Sequence, residues 1–302
     1  MLKLDEKKIR KGKPIGLPYQ GSKKKISKKI VEIIKQNFGT DKPIYDIFGG
    51  GGAITAECVL NGLEVHYNDL DKDITNAFER VISQDREWIK TLIVSRDEFF
   101  EIKAKENKTT DDFLKLLVNS FGNDKKSYLY SKGVSDLKYN IAKEIIEKHD
   151  VFSGYTQTET YKRSIVKLLR LEQLERRQRF QQLEQLQQLQ QLQRLQQLQK
   201  LNKIKATNKS YHTFSDVSGS ILYLDPPYEG SHQKGYINSF DSQEFYDWAF
   251  EIAKNNIVII SSYSISDERF EVVYSFDKAH STLQGGENSK GKNEKLFMVK
   301  NS

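Results

Sequence analysis

The sequence predicts an α/β protein whose mainly parallel sheet is interrupted by a long helical insertion. Two regions with a strand–helix–strand pattern support this prediction, one near residue 45 and the other near residue 222. Between them, from about Ile74 to Leu201, the chain is polar, free of proline and mostly favourable to helix. A block of this kind between two parts of a parallel sheet usually forms a lobe of its own.

The first pattern begins with the short apolar run Pro43–Phe48, which the four glycines Gly49–Gly52 close. A helix is predicted over Ala53–Leu60, and the Asn-Gly pair that follows ends it. Leu63–Tyr67 is then predicted as a second strand. Strand, glycine turn, helix and strand together make a βαβ unit, which implies a parallel sheet.

The second pattern begins with Ser220–Leu224, an apolar run that is predicted as a buried strand. Gln243–Lys254 is predicted as a helix, and Ile257–Ile260 as another all-apolar strand. A closing antiparallel pair is predicted at Phe270–Phe276 and Lys295–Val299.

The predicted organisation has three parts: residues 1–73 and 203–302 form the sheet domain, and residues 74–202 form the inserted lobe. Within the lobe, an apolar residue recurs at every third position from Phe180 to Ile204, mostly as leucine between glutamines. On an α-helix, every third residue lies about 60° around the helix axis from the previous one, so the leucines are distributed around the helix and do not form one face. We expect a helix that is packed on more than one side; a neutral connector expanded by repetition is the alternative.

Two other segments of the insertion mix basic and aromatic residues. Asn119–Asn123 contains Phe121, and Lys125–Tyr130 combines two lysines with two tyrosines. Lysines can contact phosphates while rings stack on bases, so the pattern is compatible with nucleic-acid contact. Ordinary loop and helix surface explains it equally well.

Composition excludes several kinds of site. The net charge is +7, and residues 1–35 carry twelve Lys or Arg against three Asp or Glu. Such a block attracts phosphates but is also typical of a solvated tail. Cys58 is the only cysteine and the five histidines lack metal-ligand spacing, which excludes a disulfide and a typical zinc site. No apolar run approaches the roughly 18 residues of a membrane span, so we expect a metal-free intracellular protein.

The glycine turn and Asp69 together indicate a cofactor that contains a nucleoside. Phe48–Ala53 allows the backbone to approach a ligand closely and opens a helix whose N-terminus favours negative groups. No Gly-Lys-Ser/Thr follows, which excludes a P-loop. Asp69 lies at the end of the next strand, where a carboxylate can accept hydrogen bonds from a ribose diol. Dehydrogenases and methyltransferases both remain open on these residues.

The tetrapeptide Asp225–Tyr228 decides between these classes. It follows a strand at the carboxyl end, where open α/β sheets place their ligands. Its two prolines make a stiff loop that presents carbonyls beside one carboxylate. The Asp225 carboxylate and a carbonyl near Pro226 can hold the two hydrogens of an exocyclic amine and aim its lone pair at a methyl group. Tyr228 offers a ring for an extruded base. A rigid surface turn is the alternative, which the upstream glycine unit disfavours.

These motifs resemble the D12 class of DNA adenine-N6 methyltransferases in the α-type motif order. The chain is especially similar to phage-borne members with a leucine–glutamine triplet tract, and the resemblance covers nearly the whole chain. The insertion occupies the place of the family's target-recognition lobe. The matching segments correspond to the family's N-terminal cofactor motif, cofactor loop, acidic ribose motif, catalytic motif and closing strand: Tyr19–Lys23, Asp46–Gly52, Asn68–Asp71, Asp225–Tyr228 and Asn293–Leu296.

The resemblance implies a Rossmann-like, S-adenosylmethionine-dependent methyltransferase sheet with an inserted, mainly helical target-recognition lobe. The implied activity is methyl transfer from S-adenosylmethionine to adenine N6 in DNA, by base flipping and direct in-line transfer. The implied partner is double-stranded DNA, bound by a monomer without metal or membrane, in the cytoplasm of a bacterial or phage-infected cell. The recognised sequence and the existence of a cognate restriction endonuclease stay open.

The matching motifs also carry over two sets of site residues. The predicted catalytic residues are Asp225, Pro226, Pro227 and Tyr228. The predicted cofactor-binding residues are Tyr19, Lys23, Asp46, Phe48, Gly49, Gly51, Asp69 and Asp225. Lys24 and Lys25, which follow Lys23, are expected to be solvated instead.

The chain departs from the family pattern in its four-glycine loop and at Ser210, where a carboxylate often binds the adenine of the cofactor. Main-chain groups or Ser210 are expected to bind that adenine here. Two alternatives remain: a methyltransferase for another amine (cytosine N4, an RNA base or a protein glutamine), and a DNA-binding relative without catalysis. The Asp-first tetrapeptide, the position of Tyr19–Lys23 and the insertion favour adenine in DNA. Intact Asp69, Asp225 and Tyr228 argue against lost catalysis.

Overall fold

The computed structural model describes residues 1–19, 21–166, 182–198, 201, 203–229, 240–276 and 293–300. The chain divides into two compact units. The first unit is made of Met1–Ile15, Ser22–Thr75 and Lys200–Ser302, and the second of Gly16–Gly21 and Asn76–Gln199. Within the described ranges no helix is long and apolar enough to cross a membrane.

The first unit contains a six-stranded sheet in the described part of the chain. The strands are β1 Ile44–Asp46, β2 Val65–Tyr67, β3 Ile221–Leu224, β4 Ile257–Ser262, β5 Phe270–Ser275 and β6 Lys295–Val299. Their order is β2-β1-β3-β4-β6-β5. The first four in this order are parallel, and β6 is antiparallel to both β4 and β5. The predicted α/β fold with a closing antiparallel pair is therefore confirmed.

The strand order reverses between β1 and β3. From β1 the next strand, β2, lies on one side, whereas β3 and β4 continue the sheet on the other. The register pairs Asp46 with Tyr67 and with Tyr223, so the carboxyl ends of the three strands are level. Open α/β sheets bind ligands in the crevice at such a reversal. The fold therefore places the three loops that follow these strands at a ligand-binding edge.

Helices accompany both units. In the first unit they are α1 Ser27–Phe38, α2 Ala53–Leu60 and α9 Ser242–Ile252. Helix α3, Lys72–Ser83, crosses the boundary between the units. In the second unit they include α4 Arg86–Lys90, α5 Arg96–Ala104, α6 Thr110–Val118, α7 Ser135–His149 and α8 Glu184–Gln196.

The core of the first unit lies between the sheet and α9. Phe245, Ala249 and Ile252 repeat at helical spacing, which gives α9 one apolar face. That face belongs to one buried cluster with Leu222 of β3 and Ile260 of β4. Burying each of the large side chains in this cluster, such as Phe245 or Leu222, contributes about 1.5–3 kcal/mol. The packing fixes β3 and β4 and hence the loops at their carboxyl ends.

Helix α8 lies within the leucine–glutamine tract and has buried leucines around most of its circumference. Leu183, just before the helix, and the four leucines at every third position to Leu195 are all 0% exposed. Five positions at steps of about 60° cover about 240° of the circumference. Helices α4, α6 and α7 contact α8. The predicted helix packed on several sides is confirmed for this stretch; Phe180 lies outside the described residues.

The aromatic residues suggested for base contact belong largely to the core of the second unit. Tyr128 and Tyr130 are buried in a cluster with Phe99 of α5. The Tyr128 hydroxyl donates to the Val94 carbonyl oxygen at 2.8 Å. Base stacking, one of the two interpretations of this pattern, does not apply to these two tyrosines, because their rings are enclosed by protein. Phe121, in contrast, is 53% exposed.

Candidate active site

Three loops and one strand end meet at the carboxyl edge of the sheet. Gly49–Gly52 follows β1, Asn68–Asp71 follows β2 and Asp225–Tyr228 follows β3. Strand β6 runs in the opposite direction, and its first residue, Lys295, pairs with the end of β4. Glu294, which precedes β6, therefore lies at the same edge.

The glycine loop is packed tightly against the end of β2. Gly49 N–H donates to the Asn68 carbonyl oxygen at 2.8 Å, and the Tyr67 hydroxyl donates to the Gly50 carbonyl oxygen at 2.8 Å. A Cβ at Gly49 would lie 2.5 Å from Tyr67 Cδ2 and still closer to Cε2. Only glycine fits at this position. Gly51 is buried in the same loop.

The Asp69 carboxylate links the loops that follow β1 and β2. Its Oδ2 accepts from Gly50 N–H and its Oδ1 from Asp71 N–H, each at 2.8 Å. Burial raises the pKa of Asp69 to about 6, although the two backbone hydrogen bonds lower it. The carboxylate thus lies beside the backbone of the glycine loop, at the carboxyl end of β2.

Asp46 lies beneath the loop and caps α2 from outside the helix. Its Oδ2 accepts from Thr55 N–H at 3.1 Å and from the Thr55 hydroxyl at 2.7 Å. The side chain is buried, and this burial raises its pKa to about 7 against the opposing effect of the Thr55 bonds. Thr55 N–H is one of the N-terminal donors of α2 that lack a partner within the helix. The carboxylate therefore anchors the helix on which the glycine loop depends.

Lys23 and Asp225 form a largely buried ion pair. Lys23 Nζ lies 2.8 Å from Asp225 Oδ1 and also contacts the Tyr228 hydroxyl. Burial alone would lower the pKa of Lys23, but attraction to Asp225 and Glu294 outweighs it and the pKa is raised. For Asp225, burial raises the pKa to about 6, Lys23 opposes this effect and Glu294 adds to it. Lys23 is thus a permanent cation beside a carboxylate.

The two following lysines differ from each other. Lys25 is exposed, as expected. Lys24 is only partly exposed, and burial lowers its pKa to about 8. The expectation of a solvated side chain is therefore wrong for Lys24, because the turn that positions Lys23 also places its neighbour against the protein.

Tyr228 is held at its ring and at its hydroxyl. The hydroxyl oxygen lies 2.6 Å from Glu294 Oε1 and 3.2 Å from Asp225 Oδ1. The ring meets Tyr263 edge to face, with 4.7 Å between centroids. Sequence reasoning assigned no role to Glu294, which it treated only as part of a closing strand. The sequence feature that could have identified Glu294 was its position directly before a predicted antiparallel strand, which starts at the edge of the sheet where the catalytic loop lies.

An aromatic group lies beside the glycine loop. The Phe48 ring is 6.1 Å from that of Tyr211 and 5.7 Å from that of Phe245, measured between centroids. The Asn68 amide bonds to the carbonyl oxygen and the N–H of Lys209, each at 2.9 Å, and so fixes the segment that leads to Ser210. The structure therefore brings Ser210 and its aromatic neighbour close to the loop.

Of the predicted site residues, the structure brings Lys23, Asp225 and Tyr228 into direct contact and joins Asp69 to the glycine loop. Pro226 and Pro227 lie between Asp225 and Tyr228, and Pro226 is buried. Tyr19 is half-buried and belongs to the second unit, so its place in a cofactor site stays a prediction. No cluster of His, Cys, Asp and Glu suited to a metal ion occurs in the described ranges.

Comparison with known proteins assigns the chain to a family. Residues 19–287 match the model of the D12 class N6 adenine-specific DNA methyltransferases. No curated protein sequence matches the chain. Among solved structures the chain is similar to "Putative methyltransferase yhhF from Escherichia coli", which is 9% identical; the match covers 95% of this chain and 92% of that chain, with a TM-score of 0.34. On the family match, the chain belongs to the D12 class N6 adenine-specific DNA methyltransferases, enzymes that methylate adenine N6 at specific DNA sites.

Proposed function

We propose that the methyl donor of this enzyme is S-adenosylmethionine, bound between the glycine loop, Asp69 and Phe48. Each Asp69 oxygen accepts one backbone N–H and has a second lone pair, so the carboxylate can also accept from a ribose diol. Phe48 and Tyr211 offer aromatic surface for the adenine ring of the cofactor. When bound, the cofactor supplies an electrophilic methyl group on a sulfonium. These residues fit a nucleoside cofactor of this kind.

The Asp225 carboxylate is proposed to hold the target amine. The observation that carries this role is the Lys23–Asp225 ion pair at the point where the strand order reverses. Among the described residues, the contacts to this carboxylate are made to Oδ1, which leaves Oδ2 to accept from the N6 amino group. The Pro226 carbonyl accepts the second hydrogen. Holding both hydrogens turns the nitrogen lone pair towards the methyl group.

The remaining residues orient groups and need not transfer a proton. The Tyr228 ring stacks on the extruded adenine, an interaction worth about 1–3 kcal/mol. Lys23 favours the ionised form of Asp225. After methyl transfer the amine is strongly acidic, so its proton can leave to solvent without a dedicated base.

The second unit is proposed to recognise the target sequence in double-stranded DNA. It has its own buried core, around Phe99 and Leu116, and occupies residues outside the sheet that carries the reaction centre. We propose a monomer that acts on DNA in the cytoplasm of a bacterial or phage-infected cell. Methylation-sensitive sequencing of DNA from cells that express the chain would identify the recognised site.

A labelling experiment tests the reaction directly. Purified protein is incubated with methyl-labelled S-adenosylmethionine and duplex DNA, and the nucleosides are separated after digestion. We expect label in N6-methyladenine. Label confined to N4-methylcytosine, RNA or protein would contradict the proposed target, and failure of S-adenosylhomocysteine to bind in calorimetry would contradict the proposed cofactor.

Substitution of Asp225 tests the proposed mechanism. Asp225→Ala is expected to lower kcat by about a hundredfold or more, because a preorganised contact to the reacting group is lost. DNA affinity should stay within about twofold of the wild type, since the carboxylate does not contact phosphates. Asp216→Ala, which removes an exposed carboxyl before β3, is the matched control and should retain activity. Substantial transfer by Asp225→Ala would eliminate the assigned role.

A further inference from the structure

The Tyr228 hydroxyl lies between two carboxylates but has one proton to donate. The distance to Glu294 Oε1 is 2.6 Å and that to Asp225 Oδ1 is 3.2 Å, so the shorter contact assigns the proton to Glu294. Lys23 contacts the same hydroxyl oxygen, which accepts from the ammonium. With the phenol proton directed to Glu294, Asp225 keeps its acceptor capacity for another group.

Glu294 is itself fixed by the sheet. Its Oε1 also accepts from the hydroxyl of Ser261, at 2.7 Å, and Ser261 is a fully buried residue of β4. The residue after Glu294, Lys295, begins β6 and pairs with Ser262. Both β4 and β6 therefore hold this carboxylate in place, and only 12% of its side chain is exposed. A hydrogen bond from the Tyr228 hydroxyl to this fixed acceptor helps to define the direction in which the Tyr228 ring points.

Removal of Glu294 would change the hydrogen bonding of Tyr228 and would also remove a carboxylate that lies 3.7 Å from Lys23 Nζ. The Tyr228 hydroxyl would lose its 2.6 Å acceptor, while its contacts to Lys23 and Asp225 would remain. Its proton would then turn to Asp225 Oδ1, the carboxylate proposed to hold the target amine. The ring would be less well oriented for the adenine, and Asp225 would be a weaker acceptor.

We infer that Glu294 is a positioning residue of the methyl-transfer reaction, which acts through the Tyr228 hydroxyl to orient the stacking ring and to keep the phenol proton away from Asp225. The inference rests on the proposed roles of Asp225 and Tyr228. In this role Glu294 acts on the target base through Tyr228, which it contacts, so its effect is expected in the rate of transfer and in the stacking of the base.

A double-mutant cycle tests the inference, because it isolates the coupling between the two side chains. Glu294→Ala and Tyr228→Phe are each expected to lower kcat by about tenfold, the effect of one charged hydrogen bond. The KM for S-adenosylmethionine should change by less than about twofold. In the Tyr228→Phe background, Glu294→Ala should lower kcat by less than about twofold further. Glu294→Gln should recover most of the activity, since its amide oxygen still accepts from the phenol.

Base stacking gives a readout that a merely structural role would not change. With 2-aminopurine at the target position of the duplex, fluorescence rises when the extruded base loses its stacking partner. Glu294→Ala should therefore give a brighter complex than the wild type, and Glu294→Gln a complex close to it. Glu271→Ala, which removes an exposed carboxyl on the neighbouring strand β5, is the matched control and should change neither rate nor fluorescence.

Additive effects in the cycle, or wild-type rates in either single variant, would overturn the inference. If Glu294→Ala fails to fold, Glu294→Gln and Tyr228→Phe still decide the matter: a wild-type rate in Tyr228→Phe removes the proposed link. Failure of the wild-type protein to methylate adenine would instead overturn the proposed function. An active wild type with an unaffected Glu294→Ala variant overturns only the role of Glu294.

Discussion

Gly49→Ala is the substitution that tests most sharply how the glycine loop is built. The added Cβ would lie 2.5 Å from Tyr67 Cδ2, closer still to Cε2 and 3.1 Å from the Asn68 carbonyl oxygen. Tyr67 is 1% exposed, so its ring has no solvent to move into. Overpacking of a core costs about 1–3 kcal/mol. A shift of the ring also breaks the bond from its hydroxyl to Gly50, which adds about 1 kcal/mol.

We therefore expect Gly49→Ala to lower the free energy of unfolding by about 2–4 kcal/mol, the sum of these two costs. Urea unfolding followed by circular dichroism measures this change as a shift of the midpoint at constant slope. Gly62→Ala is the matched control, because an added Cβ there meets nothing within 4 Å. Its cost comes only from the φ of +74° and is about 1 kcal/mol.

A second background tests whether the Tyr67 ring causes the loss of stability in Gly49→Ala. In a Tyr67→Leu background the ring is absent, and Gly49→Ala should cost at least about 1 kcal/mol less than in the wild type. A loss below about 0.5 kcal/mol in the wild type, within the range of ordinary surface substitutions, would refute the steric argument. An equal loss in both backgrounds would show that the ring is not its origin.

Three further outcomes are expected. The pKa of Asp46 is raised to about 7, so the folded state binds this proton more tightly than the unfolded chain. The free energy of unfolding should therefore fall as pH rises from about 4 to 7, by up to about 1.4 kcal/mol per pH unit. In urea unfolding at pH 5 and 8, Asp46→Asn should remove this contribution to the pH dependence of stability, and an unchanged pH dependence would contradict the assignment. Transfer requires ionised Asp225, so kcat should fall below about pH 6, and a flat profile down to pH 5 would count against it. Leu189→Ala should cost about 2–5 kcal/mol of unfolding free energy, whereas Leu70→Ala, at a side chain that is 51% exposed, should cost less than about 0.5 kcal/mol, and equal losses would contradict the burial of α8.

Local signals in the sequence were sufficient to predict the helix and the strand next to the candidate active site. The predicted helix Ala53–Leu60 coincides with α2, because a glycine turn precedes it and an Asn-Gly pair ends it. The strand that leads into Asp225 was equally accessible, since all four residues of β3 are apolar and buried. Such signals depend on neighbours in the chain, and these elements need nothing more.

Other features depend on residues that are distant in the chain. Glu294 reaches Tyr228 across 66 positions, through the pairing of β6 with β4, which no local pattern encodes. The burial of Tyr130 depends in the same way on α8, where Gln185 N–H donates to its hydroxyl from 55 positions away. A segment that mixes basic and aromatic residues can lie on a surface or in a core. Only the residues that it contacts in the folded chain show which of these environments it occupies.

The period of three in α8 has a consequence for changes in its length. Deletion or insertion of one Leu-Gln-Gln triplet shifts the tract by one repeat, so the packed stretch is again occupied by leucine wherever leucine was before. After a deletion, Gln188 would take the place of Gln185, whose amide donates to Asn119 Oδ1. Loss of one triplet would thus keep the leucine packing of this stretch, although Gln187 would replace Glu184, which pairs with the buried Lys138 at 3.2 Å. The helix can therefore shift in register by one repeat and still present leucines at the same packing positions.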